Sequence, residues 1–446
     1  MNKTLYLDSR SLGLFRITCG CVLLYDLLTR LFDVDAHLSE NGVLPLEVVP
    51  MCIENHFGYY VHFLSDSFAF QVCLLIYHIL ITISFIIGYR TKFCNLMCWY
   101  LHCSLQERNP LVNYGADQVL VIVLFLTIFL PLDKAFSVHS KKNETTHSCG
   151  LPSALYFLQI FIIYIFAALA KNGAAWAEGR AVFNVLSLEL YSNTFGRFLL
   201  NYPLLLKCLT YLTLVIESIA PVLLLFHRTR MVGVVVLFLL QFSFVLTMNL
   251  GIFPYISIVA LIPFLPSSMW AKKQTFIFES VKYSKTLNFI FLFIIILIVH
   301  SSISEHFKLK QNGLNAIASF LKLEQQWDMF APEPEKGNRW LVLAAILENG
   351  KKIDLLNGNE PVSLKKPNSL NRRCHNDRWK EYFYKLSFEE NHFILKSCVL
   401  YFVNIWNKNQ MVDHRVKEVQ LFCLNEKIHT REPISLKTLM RLEFKQ

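Results

Sequence analysis

Charged residues are scarce in this chain. Asp, Glu, Lys and Arg make up 17% of its 446 residues, whereas soluble globular domains carry about 25%. Apolar residues make up 54% of the chain, and much of the charge that is present falls in its last third. The composition therefore argues against a water-soluble fold and predicts a membrane part followed by a soluble part.

A basic face and a metal-binding pattern are also missing. The net charge is +10, but the Lys and Arg residues form short clusters between apolar runs, so we expect no nucleic-acid partner. The twelve cysteines are scattered. Cys98 and Cys103 bracket His102, yet the number and the spacing of these ligands are wrong for zinc, so we expect no metal.

Nine apolar stretches are long enough to cross, or nearly cross, the roughly 30 Å hydrocarbon core of a bilayer. They lie at 11–32, 68–88, 93–108, 113–132, 152–172, 203–226, 231–249, 252–267 and 286–302. The third and the eighth are short and adjoin Gly, Pro and Asn residues, which a membrane tolerates only against protein or a wet cavity. The sequence predicts a mainly α-helical, polytopic membrane domain over 1–302, with a cavity near the broken helices.

The remaining residues, 303–446, have a different pattern. Asn349 and Gly350 separate two strand-like runs and are typical of a β-hairpin turn. The predicted elements are strands at 340–348, 351–356 and 416–424 and a helix at 391–406. We expect a small α+β domain that rests on the outer face of the membrane.

The charges in the loops predict how the chain is oriented in the membrane. Lys and Arg are concentrated at the N-terminus and in every second loop, as at Arg90 and Lys92 and again at Arg228 and Arg230. Cytoplasmic loops carry such an excess. We therefore expect a cytoplasmic N-terminus and an extracytoplasmic C-terminal domain, in a bacterial inner membrane or an endoplasmic reticulum membrane.

Six strings of residues, taken together in this order, are distinctive. They are DAHLSENGVLP at 35–45, RNPLVNYGAD at 108–117, ALAKNGAAWAEG at 168–179, VIESIAP at 215–221, NLGIFPY at 249–255 and WDMFAPEP at 327–334. In these strings the chain resembles, over almost its whole length, the HTTM (horizontally transferred transmembrane) family. That membrane domain is shared with the vitamin K-dependent γ-glutamyl carboxylases.

The resemblance implies a carboxylase-like lyase that is also a quinol epoxidase. In such enzymes an uncharged lysine starts the oxygenation of reduced vitamin K, a naphthoquinol, and the strong base that results removes a γ-proton from a glutamate before CO₂ adds. By resemblance, Lys171 is the catalytic base, O₂ and CO₂ are co-substrates, and the partner is an exported glutamate-containing peptide. The implied supporting residues are Asn109, Asn113, Asp117, Trp176, Glu178, Glu217 and Asn249.

The residues themselves leave alternatives open. Lys171 ends an apolar run, where burial would favour a neutral amine suited to general-base catalysis, but a lysine there can also extend its ammonium to the headgroups. Glu217, within the sixth stretch, is a functional residue by default or a partner for a cation such as Arg16. Asp26 and Arg30 have the spacing of a structural helix pair. The segment 177–200 could be an interfacial helix pair that roofs a pocket, or a partner surface.

Two family features are absent. No histidine shortly precedes Tyr114 and Gly115, and Gln241 stands where many members carry another histidine. His102 is either a spatial substitute or a structural hydrogen-bonding residue. The alternative function is a non-enzymatic membrane factor for maturation or export of a secreted peptide, while a transporter is disfavoured because the chain shows no paired halves.

Overall fold

Helices account for most of the described chain. The computed structural model describes residues 5–52, 60–138, 146–270, 277–279, 284–358, 360–408, 410–428 and 432–444. Its α-helices are α1 Ser9–Leu31, α2 Val34–Leu38, α3 Phe68–Ile87, α4 Thr91–Arg108, α5 Gly115–Thr127, α6 Leu151–Ala170, α7 Ala174–Ala177, α8 Ala181–Ser187, α9 Thr194–Leu199, α10 Pro203–Leu225, α11 Arg230–Thr247, α12 Phe253–Val259, α13 Lys285–His306, α14 Gly313–Phe320, α15 Asp377–Leu386 and α16 Leu395–Asn407. The prediction of a mainly α-helical chain is confirmed.

Eight strands form two sheets. The strands are β1 Tyr6–Asp8, β2 Thr146–Cys149, β3 Ile277–Glu279, β4 Gly337–Leu347, β5 Lys352–Asp354, β6 Glu360–Pro361, β7 Val416–Lys427 and β8 Ser435–Glu443. The first three pair in the order β1-β2-β3. Because these strands immediately precede α1, α6 and α13, the starts of the three helices share one face of the membrane domain, here called the sheet face.

Within the described residues, six helices are long and apolar enough to cross a membrane: α1, α3, α6, α10, α11 and α13. Apolar side chains are exposed along all six of them, including Leu212, Phe242 and Phe293. Apolar exposure on helices of this length indicates contact with lipid. The protein is therefore a multi-pass membrane protein in contact with the bilayer.

The prediction of nine spans is confirmed for six. The other three stretches are also helical, but each helix is too short or too polar to be counted as a membrane span. α4 carries charge at Glu107 and Arg108, and α5 has 13 residues, about 20 Å of helix against a core of roughly 30 Å. α12 has only 7 residues. α5 is almost wholly buried, so it packs against protein instead of lipid.

The C-terminal domain lies on the opposite face, here called the domain face. Its sheet is antiparallel with the order β6-β5-β4-β7-β8. The predicted hairpin is confirmed, since β4 pairs with β5 and Gly350 has a φ of 82° in the turn between them. The predicted strand at 416–424 is part of β7, and the predicted helix at 391–406 corresponds mainly to α16.

The two parts of the chain share a hydrophobic core. Trp379 and Tyr382 on α15 belong to the same buried cluster as Val43, Leu111 and Val112 of the membrane domain. The hydroxyl of Tyr382 donates to the carbonyl of Val43 at 3.3 Å. The C-terminal domain is therefore packed into the membrane domain and does not merely rest on it.

Candidate functional site

Lys171, Trp176 and Glu217 come together at the domain face. Lys171 follows the last residue of α6, and its Nζ lies 2.8 Å from Oε2 and 3.1 Å from Oε1 of Glu217 on α10. Nζ also donates to the carbonyl of Ala167 at 3.1 Å, and it lies 5.4 Å from the ring centroid of Trp176. The Lys171 and Glu217 side chains are each only 7% exposed. These three residues are called the lysine site below.

The contacts of the lysine site decide between the alternatives that the sequence left open for Lys171 and for Glu217. The ammonium of Lys171 binds a buried carboxylate, so it does not extend to the surface. Arg16 is not the partner of Glu217, because its guanidinium donates to the carbonyls of Leu132 at 2.7 Å and Ala135 at 3.3 Å. The suggestion of Arg16 as the partner of Glu217 is therefore wrong.

The pairing of Lys171 with Glu217 permits a simple proton shift. When the proton moves from the ammonium to the carboxylate, an uncharged amine and an uncharged acid result. Both states of the pair carry no net charge, so neither leaves a buried charge without a partner. The lysine site can thus hold an amine that is free to accept a proton.

Two of the distinctive strings meet beside the lysine site. The indole Nε1 of Trp176 donates to the carbonyl of Phe330 at 3.0 Å. The backbone N–H of Ala175 donates to the carboxylate of Glu333 at 3.1 Å, and that of Gly173 to the carbonyl of Pro332 at 3.1 Å. Segment 330–333 therefore fixes the position of the short helix α7, which carries Trp176.

Gly173 is required by this close approach. A Cβ there would lie 2.4 Å from the carbonyl oxygen of Pro332 and 2.3 Å from Cγ of Glu333. We expect Gly173→Ala to separate the two segments and lower stability by about 1–3 kcal/mol, as overpacking does. Thermal unfolding in detergent measures this, with Gly313→Ala as the control because a Cβ at Gly313 meets nothing within 4 Å. Equal midpoints for the two variants would contradict the expectation.

Glu178 and Asn249 are not part of the lysine site. The carboxylate of Glu178 is exposed and pairs with Arg180. Asn249 contributes its backbone, since its N–H donates to the carbonyl of Tyr191 and its carbonyl accepts from Nζ of Lys380, both at 2.6 Å. These contacts satisfy the backbone of Asn249 at the break between α11 and α12.

Asp117 belongs to a second, buried group of charges. Arg30 donates to Asp26 at 2.9 Å and to Asp117 at 2.7 Å, so the predicted helix pair of Asp26 and Arg30 is confirmed. Arg378 of the C-terminal domain contacts both carboxylates at 2.5 Å. These four residues are called the carboxylate network below. The negative charges of its two carboxylates balance the positive charges of its two guanidinium groups, so the network has no net charge.

His102 lies at the edge of the carboxylate network. Donor atoms of Asp26, His102 and Asp117 lie within 4.8 Å of one another, a spacing that a metal ion could use. The carboxylate oxygens, however, already accept hydrogen bonds from Arg30 and Arg378. A divalent cation would add two charges to a buried network that is neutral, which is costly. The donor set therefore fits an ion-pair network better than a metal centre.

Asn109 and Asn113 bind the backbone near this network. The fully buried Asn109 donates from Nδ2 to the carbonyl of His37 at 2.9 Å. Asn113 donates from Nδ2 to the carbonyl of Gln106 at 2.8 Å, and its own carbonyl accepts from Nζ of Lys385 at 2.6 Å. Burial lowers the pKa of the Lys385 amine. The sequence did not single out Lys385, which brings an amine of reduced basicity to the domain face.

A pocket with a cavity volume of about 50 Å³ opens between the 188–191 loop and the C-terminal domain. Tyr191, Trp340 and Tyr384 line it. The buried Nε1 of Trp340 has no hydrogen-bond partner among the described residues. The ring of Tyr191 packs against that of Phe330 at 5.7 Å, so the pocket adjoins the segment that binds Trp176.

The segment 177–200 forms a pair of short helices, α8 and α9, and the loop between them borders the pocket. Lys366 of the C-terminal domain bridges Glu189 of this loop, at 2.6 Å, and Glu426. Asn338 accepts from the N–H of Glu189 at 2.8 Å. The segment therefore contains two short helices, and the loop that joins them borders the pocket.

Comparison with known proteins agrees with this architecture. Residues 6–270 match the model of the HTTM domain family. The sporulation-delaying protein SdpB of Bacillus subtilis (strain 168) is 30% identical over 110 residues, which cover 23% of this chain and 34% of that protein, so the matched stretch spans about a third of its length. No solved structure matches the chain. Since the family match covers more than half of its length, the chain belongs to the HTTM domain family.

Proposed function

We propose that this protein is a membrane enzyme of the γ-carboxylase type, in which Lys171 is the base. A reduced naphthoquinone, bound with O₂, would supply the strong base that removes the γ-proton of a peptide glutamate before CO₂ adds. The observation that carries the proposal is the lysine site: a buried amine, 2.8 Å from the carboxylate of Glu217, at the end of a membrane-spanning helix.

The surroundings of Lys171 suit a lipid-soluble substrate. Leu169 on α6 and Val215 and Ile219 on α10 lie close to the pair in sequence and are about half exposed on the lipid-facing surface. A quinol could reach the lysine site from the bilayer between these helices. The face of Trp176 covers the amine on another side, which favours a position for the substrate that is shielded from water.

The exported peptide would bind at the domain face. The pocket beside Tyr191 lies at this face and would take part of one residue of the peptide. The unpartnered N–H of Trp340 offers a donor to a peptide carbonyl. Phe330 lies between this pocket and Trp176, so a bound peptide could extend a glutamate toward Lys171.

This function requires that the domain face be extracytoplasmic. We infer that orientation from the Lys and Arg residues in the loops of the sheet face. A reporter enzyme fused after Val138 should then report a cytoplasmic position, and the same reporter fused after Phe444 an extracytoplasmic one. The reverse result would overturn the proposed orientation.

The enzyme proposal is tested with the purified protein in lipid vesicles. Reduced vitamin K, O₂, CO₂ and a glutamate-containing peptide are supplied, and quinone epoxide and carboxylated peptide are measured. We expect both products in equal amounts. No epoxide from the wild type, under conditions in which a known carboxylase works, would rule the proposal out.

The second candidate is a non-enzymatic factor that binds a secreted peptide for maturation or export. It is favoured by the domain-face pocket and by the two family histidines that the sequence lacks. Under this function the peptide binds equally well to the wild type and to Lys171→Ala, and quinone is not consumed. Equilibrium binding of a labelled peptide, measured beside the epoxide assay, separates the two candidates.

A further inference from the structure

Polar side chains line up between α3 and α4. They recur every three or four residues, the spacing of one helix face. Thr82 Oγ1 lies 3.7 Å from Cys98 Sγ, and the rings of His78 and His102 lie 6.3 Å apart. Here the polar column means six residues, all buried: His78, Thr82, Thr91, Asn95, Cys98 and His102.

The column contains polar atoms that protein does not satisfy. Both ring nitrogens of His78 and of His102, Oδ1 of Asn95 and Oγ1 of Thr91 have no hydrogen-bond partner among the described residues. Leaving a buried polar group unpaired is unfavourable. Such groups are normally hydrogen-bonded, and buried water takes that part where protein does not. Six atoms of this kind in one column point to water as the ligand.

One end of the column meets the carboxylate network. Nε2 of His102 lies 3.8 Å from Oδ1 of Asp117. A proton on His102 would be attracted by Asp117 and Asp26 and repelled by Arg30 and Arg378. His62 also lies nearby, with Nδ1 bound to Ser104 at 2.8 Å and Nε2 unpartnered among the described residues.

The other end lies toward the sheet face. Thr91 begins α4, directly after the turn that contains Gly88 and Arg90. The helix from Thr91 to His102 rises about 17 Å, more than half of a hydrocarbon core of roughly 30 Å. The column therefore covers much of the distance between the two faces.

We propose that the polar column is a water-filled proton path from the sheet face to the carboxylate network, and that the proton leaves this network at the domain face. An imidazole accepts a proton on one ring nitrogen and releases one from the other, so His78 and His102 can relay protons between water molecules. The proton is the only ion that this proposal moves along the column. The path is independent of the lysine site and of the proposed carboxylation.

The first test asks whether water reaches the column. The wild-type protein in vesicles is treated with a small hydrophilic methanethiosulfonate, and the modified thiols are quantified by mass spectrometry. Cys98 and Cys103 are equally buried members of apolar clusters on the same helix, but Sγ of Cys98 also lies 3.7 Å from Oγ1 of Thr82 in the column. We expect Cys98 to react several-fold faster than Cys103. Equal rates would overturn the proposal.

The second test asks whether protons follow the water. Vesicles that contain a pH-sensitive dye are given a potassium gradient and valinomycin, and the rate of internal acidification is recorded. We expect the wild type to exceed protein-free vesicles and His78→Phe to lower the rate several-fold. His306→Phe, at the end of α13, should retain the wild-type rate. A wild-type rate equal to that of protein-free vesicles overturns the proposal, even if His78→Phe fails to fold.

Discussion

Lys171→Ala is expected to abolish epoxide formation and glutamate carboxylation by the purified protein. If Lys171 is the base, its removal should lower both rates by about 10²–10⁴-fold, the usual contribution of general-base catalysis. The two products are measured in lipid vesicles with reduced vitamin K, labelled CO₂ and peptide. Lys207→Ala is the matched control, because Lys207 is an exposed lysine on the same helix as Glu217.

A conservative variant separates catalysis from structure. Lys171→Arg keeps a cation that can pair with Glu217, but a guanidinium does not lose its proton in proteins. A catalytic base would therefore be lost in both variants, whereas a purely structural ion pair would survive in Lys171→Arg. Activity near the wild-type level in Lys171→Arg would refute the role of Lys171 as the base.

Arg378→Met is expected to cause the largest loss of stability. It removes one guanidinium from the carboxylate network and leaves Asp26 and Asp117 with only Arg30 between them. Removing one partner of a buried ion pair typically costs about 3–5 kcal/mol. Thermal unfolding in detergent should therefore show a much lower midpoint. Arg441→Met is the control, because Arg441 is more than half exposed in its ion pairs, and such pairs contribute about 0–1 kcal/mol.

A second substitution tests the cause of that loss. Adding Asp26→Asn to Arg378→Met restores one acid and one base in the network. We expect the double variant to regain part of the lost midpoint, since the uncompensated charge is gone. A further decrease instead would mean that packing of Arg378, not charge balance, accounts for the first effect.

Apolar runs predicted the membrane helices well, because a span must satisfy its backbone internally and expose apolar side chains to lipid. They also predicted spans at α4, α5 and α12, which are not confirmed, and α5 packs against protein. Length alone does not distinguish lipid from protein as the neighbour of an apolar helix. The near-complete burial of α5 shows which neighbour it has.

The lysine site was only partly predictable. Lys171, Trp176 and Glu217 were singled out from strings far apart in the chain, but the pairing of Lys171 with Glu217 depends on how α6 packs against α10. Arg378 and Lys385 were missed, because α15 has the amphipathic, charged pattern of a solvated helix. Its polar residues instead contact the membrane domain. His78 was missed because a lone histidine in an apolar run gives no signal until α3 is set against α4.

The contact between Arg378 and the carboxylate network also bears on how the protein is made. A ribosome completes all six spanning helices before it reaches residue 378. Until then, the nascent membrane domain contains Asp26, Asp117 and Arg30 without the fourth charge. Until α15 has been synthesised and has docked, one buried carboxylate of this group is without its compensating charge. Chains that stop before Arg378 should therefore be recognised as unfinished and be degraded.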